Sequence, residues 1–167
     1  MARLLEGFVP SGGRILDLGG GTGELAGLLA AEMDSSVTIL DSSPQMLRYA
    51  HGRVGVLPMQ GDAASMPFAD GSFDAVVVCD AFHHLVRRDE AAREMARVVR
   101  PGGAVLVAEI DPRPLGTRVT AAVERLLGEP GSFLSPEDME RLFRRLGVEG
   151  RSEAQGKTSY LFLGTRT

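Results

Sequence analysis

A chain of 167 residues that is 44% hydrophobic and 24% charged is sized for one domain, residues 1–167, whose core needs no disulfide or metal staple. The formal net charge of -4 argues against nucleic-acid binding through a broad basic field and favours small or weakly charged partners. No run approaches the ~20 apolar residues needed to cross a bilayer. Met1–Phe8 also lacks the apolar stretch of a signal peptide, so a cytoplasmic protein with no membrane partner is expected.

Residues 3–9 read as a short helix with Leu4, Leu5 and Phe8 on one side, stopped by Pro10 and Gly12-Gly13. Strand one is Arg14–Leu18, and the helix after it carries Leu25, Leu28, Leu29 and Met33 at helical spacing. Val37–Leu40 is strand two and ends at Asp41. Ser43 and Pro44 open the next helix as N-cap and first helical residue, with Met46, Leu47 and Ala50 inward. A weaker strand, about Val54–Met59, precedes Gly61-Asp62, and the proline-interrupted segment 63–72 reads as a loop. Phe73–Cys79 is strand four, nearly all apolar, as suits a central parallel strand covered on both faces. Cys79, the one cysteine, reads there as a small buried hydrophobe in a reducing compartment.

Asp89–Arg100 is a helix with Ala92, Met95, Ala96 and Val99 inward and Arg93, Arg97 and Arg100 on a solvated face beside Glu90 and Glu94. Pro101-Gly102-Gly103 stops it, and Ala104–Ile110 is strand five. After Asp111-Pro112-Arg113-Pro114 come two helical stretches, striped by Val119, Ala122, Val123, Leu126 and Leu127, then by Met139, Leu142, Phe143 and Leu146. Ser135 and Asp138 give the second a capping-box-like start, and Gly147 marks its end. Residues 148–166 read as two strands around Gln155-Gly156-Lys157, a hairpin-sized link that makes them antiparallel. The alternation of strand and helix before them implies an α/β fold with parallel pairing through right-handed crossovers.

The stretch that organises this chain is Ile15-Leu16-Asp17-Leu18-Gly19-Gly20-Gly21-Thr22-Gly23-Glu24-Leu25: a strand, a tight turn and a helix N-terminus. Glycines there let a ligand approach the backbone, and the helix aims unpaired N–H groups into the turn. Read from Gly21, the stretch satisfies a relaxed dinucleotide fingerprint; read from Asp17, it is an acid followed by three alternating glycines. Asp17, Asp41, Asp62 and Asp80 then stand at the ends of strands one to four, where open α/β sheets bind ligands.

In its second form the glycine stretch resembles motif I of the class I S-adenosylmethionine-dependent methyltransferases, and the resemblance runs from Arg14 to the end. It is carried further by Leu40-Asp41-Ser42-Ser43-Pro44, Gly61-Asp62-Ala63-Ala64-Ser65-Met66-Pro67-Phe68, Phe73-Asp74-Ala75-Val76-Val77, Phe82-His83-His84-Leu85 and Arg97-Val98-Val99-Arg100-Pro101-Gly102-Gly103. These look like the ubiquinone/menaquinone-biosynthesis-like, methyltransferase type 11 branch. The resemblance implies a Rossmann-like doubly wound sheet of seven strands ordered 3-2-1-4-5-7-6 with an antiparallel C-terminal strand, S-adenosyl-L-methionine as cofactor and S-adenosyl-L-homocysteine as product.

It also implies roles. Asp17 with Gly19, Gly20, Gly21 and Gly23 would hold the amino acid end of the cofactor. Asp41, beside Ser42, would accept both ribose hydroxyls, and Asp62 and Ala63 would meet the adenine. Met46 and Met66 would flank the adenine or serve the core. Asp80, Ala81, Phe82, His83 and His84 would lie near the sulfonium. Either histidine could serve as a base for an acceptor with a proton to lose, or both could be framework. No cluster shows metal-ligand spacing.

The acceptor is expected to be a small molecule of unidentified structure. With thirteen residues ahead of strand one, the segments that could cover it are Met1–Phe8 and 111–128. An open cleft near Phe82, His84, Glu109 and Asp111 is expected, completed by a bulky substrate, a second copy of the chain or another partner. Two rival functions stand beside methyl transfer: an NAD(P)-dependent oxidoreductase, and a methyltransferase-fold protein that binds cofactor or partner without turnover.

Overall fold

The apolar runs become the centre of one sheet because each alternates its side chains between two covered faces. In the computed structural model, which describes residues 1–114, 117 and 133–167, the seven strands are β1 (Arg14–Leu18), β2 (Ser36–Asp41), β3 (Val56–Gln60), β4 (Phe73–Cys79), β5 (Val99–Ile110), β6 (Val148–Gln155) and β7 (Ser159–Arg166). Their order is β3-β2-β1-β4-β5-β7-β6. The first five pair in parallel, and β7 runs antiparallel to both β5 and β6. The expected order and the expected C-terminal hairpin are both observed.

On β1 and β4 the two-residue period is explicit. Ile15, Ala75 and Val77 bury against α1 (Ala2–Leu5), α2 (Glu24–Met33) and α3 (Pro44–Ala50). Leu16, Leu18, Val76 and Val78 bury against α4 (Arg88–Val98) and α5 (Pro136–Arg144). Covering both faces leaves the C-terminal ends of the parallel strands as the open rim where a ligand can reach the backbone. The caps follow the sequence: Ser43 Oγ accepts the Met46 N–H at 3.3 Å, and Ser135 Oγ accepts that of Asp138 at 3.2 Å.

Several expectations are corrected. The first helix is only Ala2–Leu5, and Leu4 is exposed, as are Leu28 and Met46 on α2 and α3. The third strand starts at Val56, two residues late, because Gly55 takes a positive φ of 75°. The fifth strand starts at Val99, well before Pro101-Gly102-Gly103: Val99 pairs with Phe73, and the register then shifts before Ala75 meets Ala104. Cys79 is exposed, since the last residue of β4 reaches the rim. Arg97 is half-buried rather than solvated. The expected helix striped by Val119 to Leu127 lies outside the described residues.

Candidate functional site

The rim holds a cavity of about 770 Å³ lined by Gly19, Asp41, Ser42, Asp62, Ala63, Asp80, Ala81 and His84 of the sequence-predicted set. Gln60, Leu85, Val86 and Arg87 complete much of its wall. Asp17, Gly20, Gly21, Gly23, Met46 and His83 do not line it.

The glycine turn works by close approach. A Cβ on Gly19, whose φ is +73°, would lie 2.8 Å from Ala81 Cβ, so the β1 and β4 turns touch only because a side chain is missing. A Cβ on Gly20 would fall on the Asp17 carboxylate. At Gly21 the nearest atoms would be Met46 Cε at 3.5 Å and Asp41 Oδ2 at 3.9 Å, so the protein itself leaves room there and the positive φ of 51° is what calls for glycine.

Asp41 is fixed from two sides: Oδ2 accepts the Gly21 N–H at 3.0 Å and Oδ1 the Ser43 N–H at 2.8 Å. Asp62 Oδ1 accepts the Ala64 N–H at 2.8 Å, and Oδ2 pairs with Arg87. The Ala64 bond first, and Arg87 with it, hold this carboxyl below its ordinary range. Asp17 is the opposite case. It is 1% exposed, its Oδ2 has no hydrogen-bond partner, and burial first, with the charge of Asp41 added, pushes its carboxyl up to about 7.

At the end of β4, Asp80 takes a φ of 53°, and Phe82–His84 form a single 3-10 turn. His83 is buried, and its Nδ1 lies 2.8 Å from Glu109 Oε1 and 3.0 Å from Oε2. The same carboxylate accepts the backbone N–H groups of His83 at 3.0 Å and Ile110 at 2.8 Å. The His83 ring stacks on Phe133 at 4.4 Å and meets the His84 ring at 3.9 Å, while His84 itself is exposed on the cavity wall. Asp80, His83 and Glu109 thereby bring ligand-type atoms within 4.8 Å of one another, a convergence that linear spacing does not reveal.

Two partners escape the sequence. Glu109 is known there only as a neighbour of the cleft, although a lone acid in the apolar run Val105–Ile110 signals a buried partner. Arg87 gives no signal, because its pairing with Asp62 joins two loops 25 residues apart.

Comparison with known proteins supplies the family and the fold. The family described as "Methyltransferase domain" matches residues 16–107, more than half of the chain. The chain is 37% identical over 110 residues to a ubiquinone/menaquinone biosynthesis C-methyltransferase of Pseudomonas entomophila, covering 60% of this chain and 43% of that protein. It is 31% identical over 160 residues to a 27-O-demethylrifamycin SV methyltransferase of Amycolatopsis mediterranei, covering 89% of this chain and 59% of that protein. The chain thus spans about half the length of these relatives. Among solved structures, the YcgJ protein of Bacillus subtilis superposes with a TM-score of 0.84 at 19% identity, covering 99% of this chain and 96% of that one. The fold follows from that superposition, and from the family match it follows that the chain belongs to the class I S-adenosylmethionine-dependent methyltransferases, in the branch related to the ubiquinone/menaquinone C-methyltransferases.

Proposed function

We propose that this protein transfers a methyl group from S-adenosylmethionine to a small-molecule acceptor that enters over the ends of β4 and β5. The observation that carries the proposal is the alignment of Asp41, Asp62 and Gly19 of the glycine turn along one cavity, with a buried Asp17, whose Oδ2 meets no donor, on the strand that leads into the turn. These residues fit the cofactor. The turn offers backbone where side chains are absent, and an orphaned carboxylate oxygen suits a cationic head group. Each Asp41 oxygen uses one lone pair on an amide and keeps another for a ribose hydroxyl. Asp62 would accept an exocyclic amine, and the Ala63 amide would be free to meet a ring nitrogen.

When bound, S-adenosylmethionine supplies an electrophilic methyl group on a sulfonium. What the chain contributes is orientation, the largest lever for a displacement that needs near-contact between donor and acceptor. Gly19 against Ala81 sets how far the β1 and β4 turns stand apart. Glu109 clamps the turn at His83 through that residue's backbone amide and ring Nδ1, with its own carboxylate held by the Ile110 amide, and so fixes His84 on the cavity wall. His84 is the residue that takes a proton from an acceptor with one to lose, and His83 is a positioning residue. The parallel sheet extended by an antiparallel β7 disfavours the oxidoreductase alternative, whose dinucleotide fold continues with parallel strands.

The test is calorimetric. S-adenosylhomocysteine should bind the wild type, NADH should not, and Asp41→Ala should weaken binding by about 1.5–3 kcal/mol, the range for hydrogen bonds to a charged group. Unchanged affinity in a folded Asp41→Ala protein removes Asp41 from the site. Turnover of a labelled methyl donor against a metabolite extract then separates an enzyme from a fold that only binds.

A further inference from the structure

Asp17 sits in an arrangement that disfavours its own charge. It lies at the end of β1 with 1% of its surface exposed and an Oδ2 that meets no donor. Gly20 folds directly over the carboxyl, where any side chain would collide with it. The groups facing this point from the flanking strands are acidic. Asp41 on β2 adds its negative charge to the cost of burial, and the carboxyl is pushed up to about 7. On β4, desolvation first and then the charges of Asp80 and Glu109 hold the Cys79 thiol above its ordinary value, so it remains neutral. Among the described residues no basic side chain offsets the balance at Asp17. A carboxyl so placed keeps its proton in mildly acid solution, where an ordinary carboxyl is ionised, because an isolated buried carboxylate costs far more than a neutral one.

We propose that below neutral pH Asp17 is a neutral, protonated carboxyl in the ligand-free protein and releases that proton when a ligand bearing an ammonium group enters the glycine turn, so that binding of the cationic amino acid head of S-adenosyl ligands is coupled to proton release. The inference rests on the cofactor reading above and goes beyond it. Only the O–H bond of Asp17 breaks; the proton passes to solvent, and the carboxylate it leaves is compensated by the ammonium that the ligand already carries. Affinity for such a ligand therefore rises with pH below the titration of Asp17, by up to about tenfold per unit, and levels off above it. A ligand with the same nucleoside and no ammonium has nothing to compensate the carboxylate and leaves the proton in place.

The experiment is titration calorimetry of S-adenosylhomocysteine and of methylthioadenosine, which lacks the amino acid, in buffers of different ionisation enthalpy. At about pH 6 the first should release close to one proton per site, falling towards zero at about pH 8, and the second should release none. Asp17→Asn has nearly the shape of the protonated acid, so it should fold, bind methylthioadenosine like the wild type, and bind S-adenosylhomocysteine without proton release or pH dependence. S-adenosylhomocysteine binding whose heat is independent of buffer overturns the proton release and leaves the cofactor reading standing. Equal release by the two ligands, or release that persists in Asp17→Asn, assigns the proton to another group and also overturns it. Absence of S-adenosylhomocysteine binding overturns the cofactor reading, and the inference with it.

Discussion

At the scale of single residues, the site is a set of carboxyls in unlike surroundings. Asp62 is exposed, bonded and easily ionised, whereas Asp17 is buried and resists ionisation. The second condition has a cost for the ligand-free fold. Because the folded-state value is raised from 3.8 to about 7, the folded protein holds this proton more tightly than the unfolded chain. Its stabilising effect is complete below the unfolded value and is lost as pH rises through the folded one. Asp17→Asn does not titrate, so it should gain on the wild type by on the order of 3–4 kcal/mol between about pH 4 and pH 8, read from urea midpoints. A constant difference across that range would mean that Asp17 is ionised in the free protein. The placement of Asp17, Asp41, Asp62 and Asp80 was legible in the sequence, because each follows an apolar run at a strand end. The burial of Asp17 that raises its titration was not, since it comes from Gly20 folding over the carboxyl, with Asp41 adding its charge. Cys79 misled for a related reason: an apolar run says that a strand is buried, but not how far its last residue reaches beyond the covering helices.

At the scale of elements, the loop that carries Asp62 and Ala63 is held by α4. Arg97 donates from Nη1 to Phe68 O and Asp70 Oδ1, both at 2.7 Å, and from Nη2 to Met66 O at 3.1 Å, while Glu94 Oε2 accepts the Met66 N–H at 2.7 Å. Glu94 and Arg97 also bond each other at 2.7 and 2.8 Å, which sets the geometry of both. Helical periodicity placed Arg97 outward and paired it with glutamate. The glutamate partner was right, but periodicity does not see a loop some thirty residues away that folds over that face. Arg97→Ala should cost about 1–3 kcal/mol of stability by leaving half-buried carbonyls and Glu94 without their donor. It should also weaken S-adenosylhomocysteine, since Asp62 and Ala63 then lose their support. Arg93→Ala, one helical turn away and exposed, should change stability by less than about 0.5 kcal/mol and leave affinity as it was. Calorimetry and urea unfolding on the two variants check this, and equal effects would show that the loop stands without the clamp.

At the scale of the whole molecule, the work is divided across the sheet. The cavity is built on β1 to β4, and β6 and β7 brace the far side. Tyr160 on β7 stands opposite Glu109 and donates to Leu134 O at 3.0 Å, and Phe162 stacks on Phe143 of α5 at 5.0 Å. The hairpin itself was legible from Gln155-Gly156-Lys157. Its place beyond β5 came only through the resemblance, because periodicity fixes faces and not strand order. The two antiparallel strands meet closely where Gly150 faces Gly164. A Cβ on Gly150 would fall on the Leu163 carbonyl oxygen and the Gly164 Cα, and backbone cannot rotate away as a side chain can. Gly150→Val should therefore part β6 from β7 and destabilise the domain by about 1–3 kcal/mol, the usual cost of overpacking. For a chain of this length that lowers Tm by roughly 2–12 °C. Because none of the cavity residues lies on β6 or β7, the folded variant should bind S-adenosylhomocysteine with wild-type affinity well below its Tm. A variant with unchanged Tm would show that the glycine pair tolerates a side chain. A stable variant with lost affinity would show that the hairpin shapes the cavity through Glu109, which β7 holds in register.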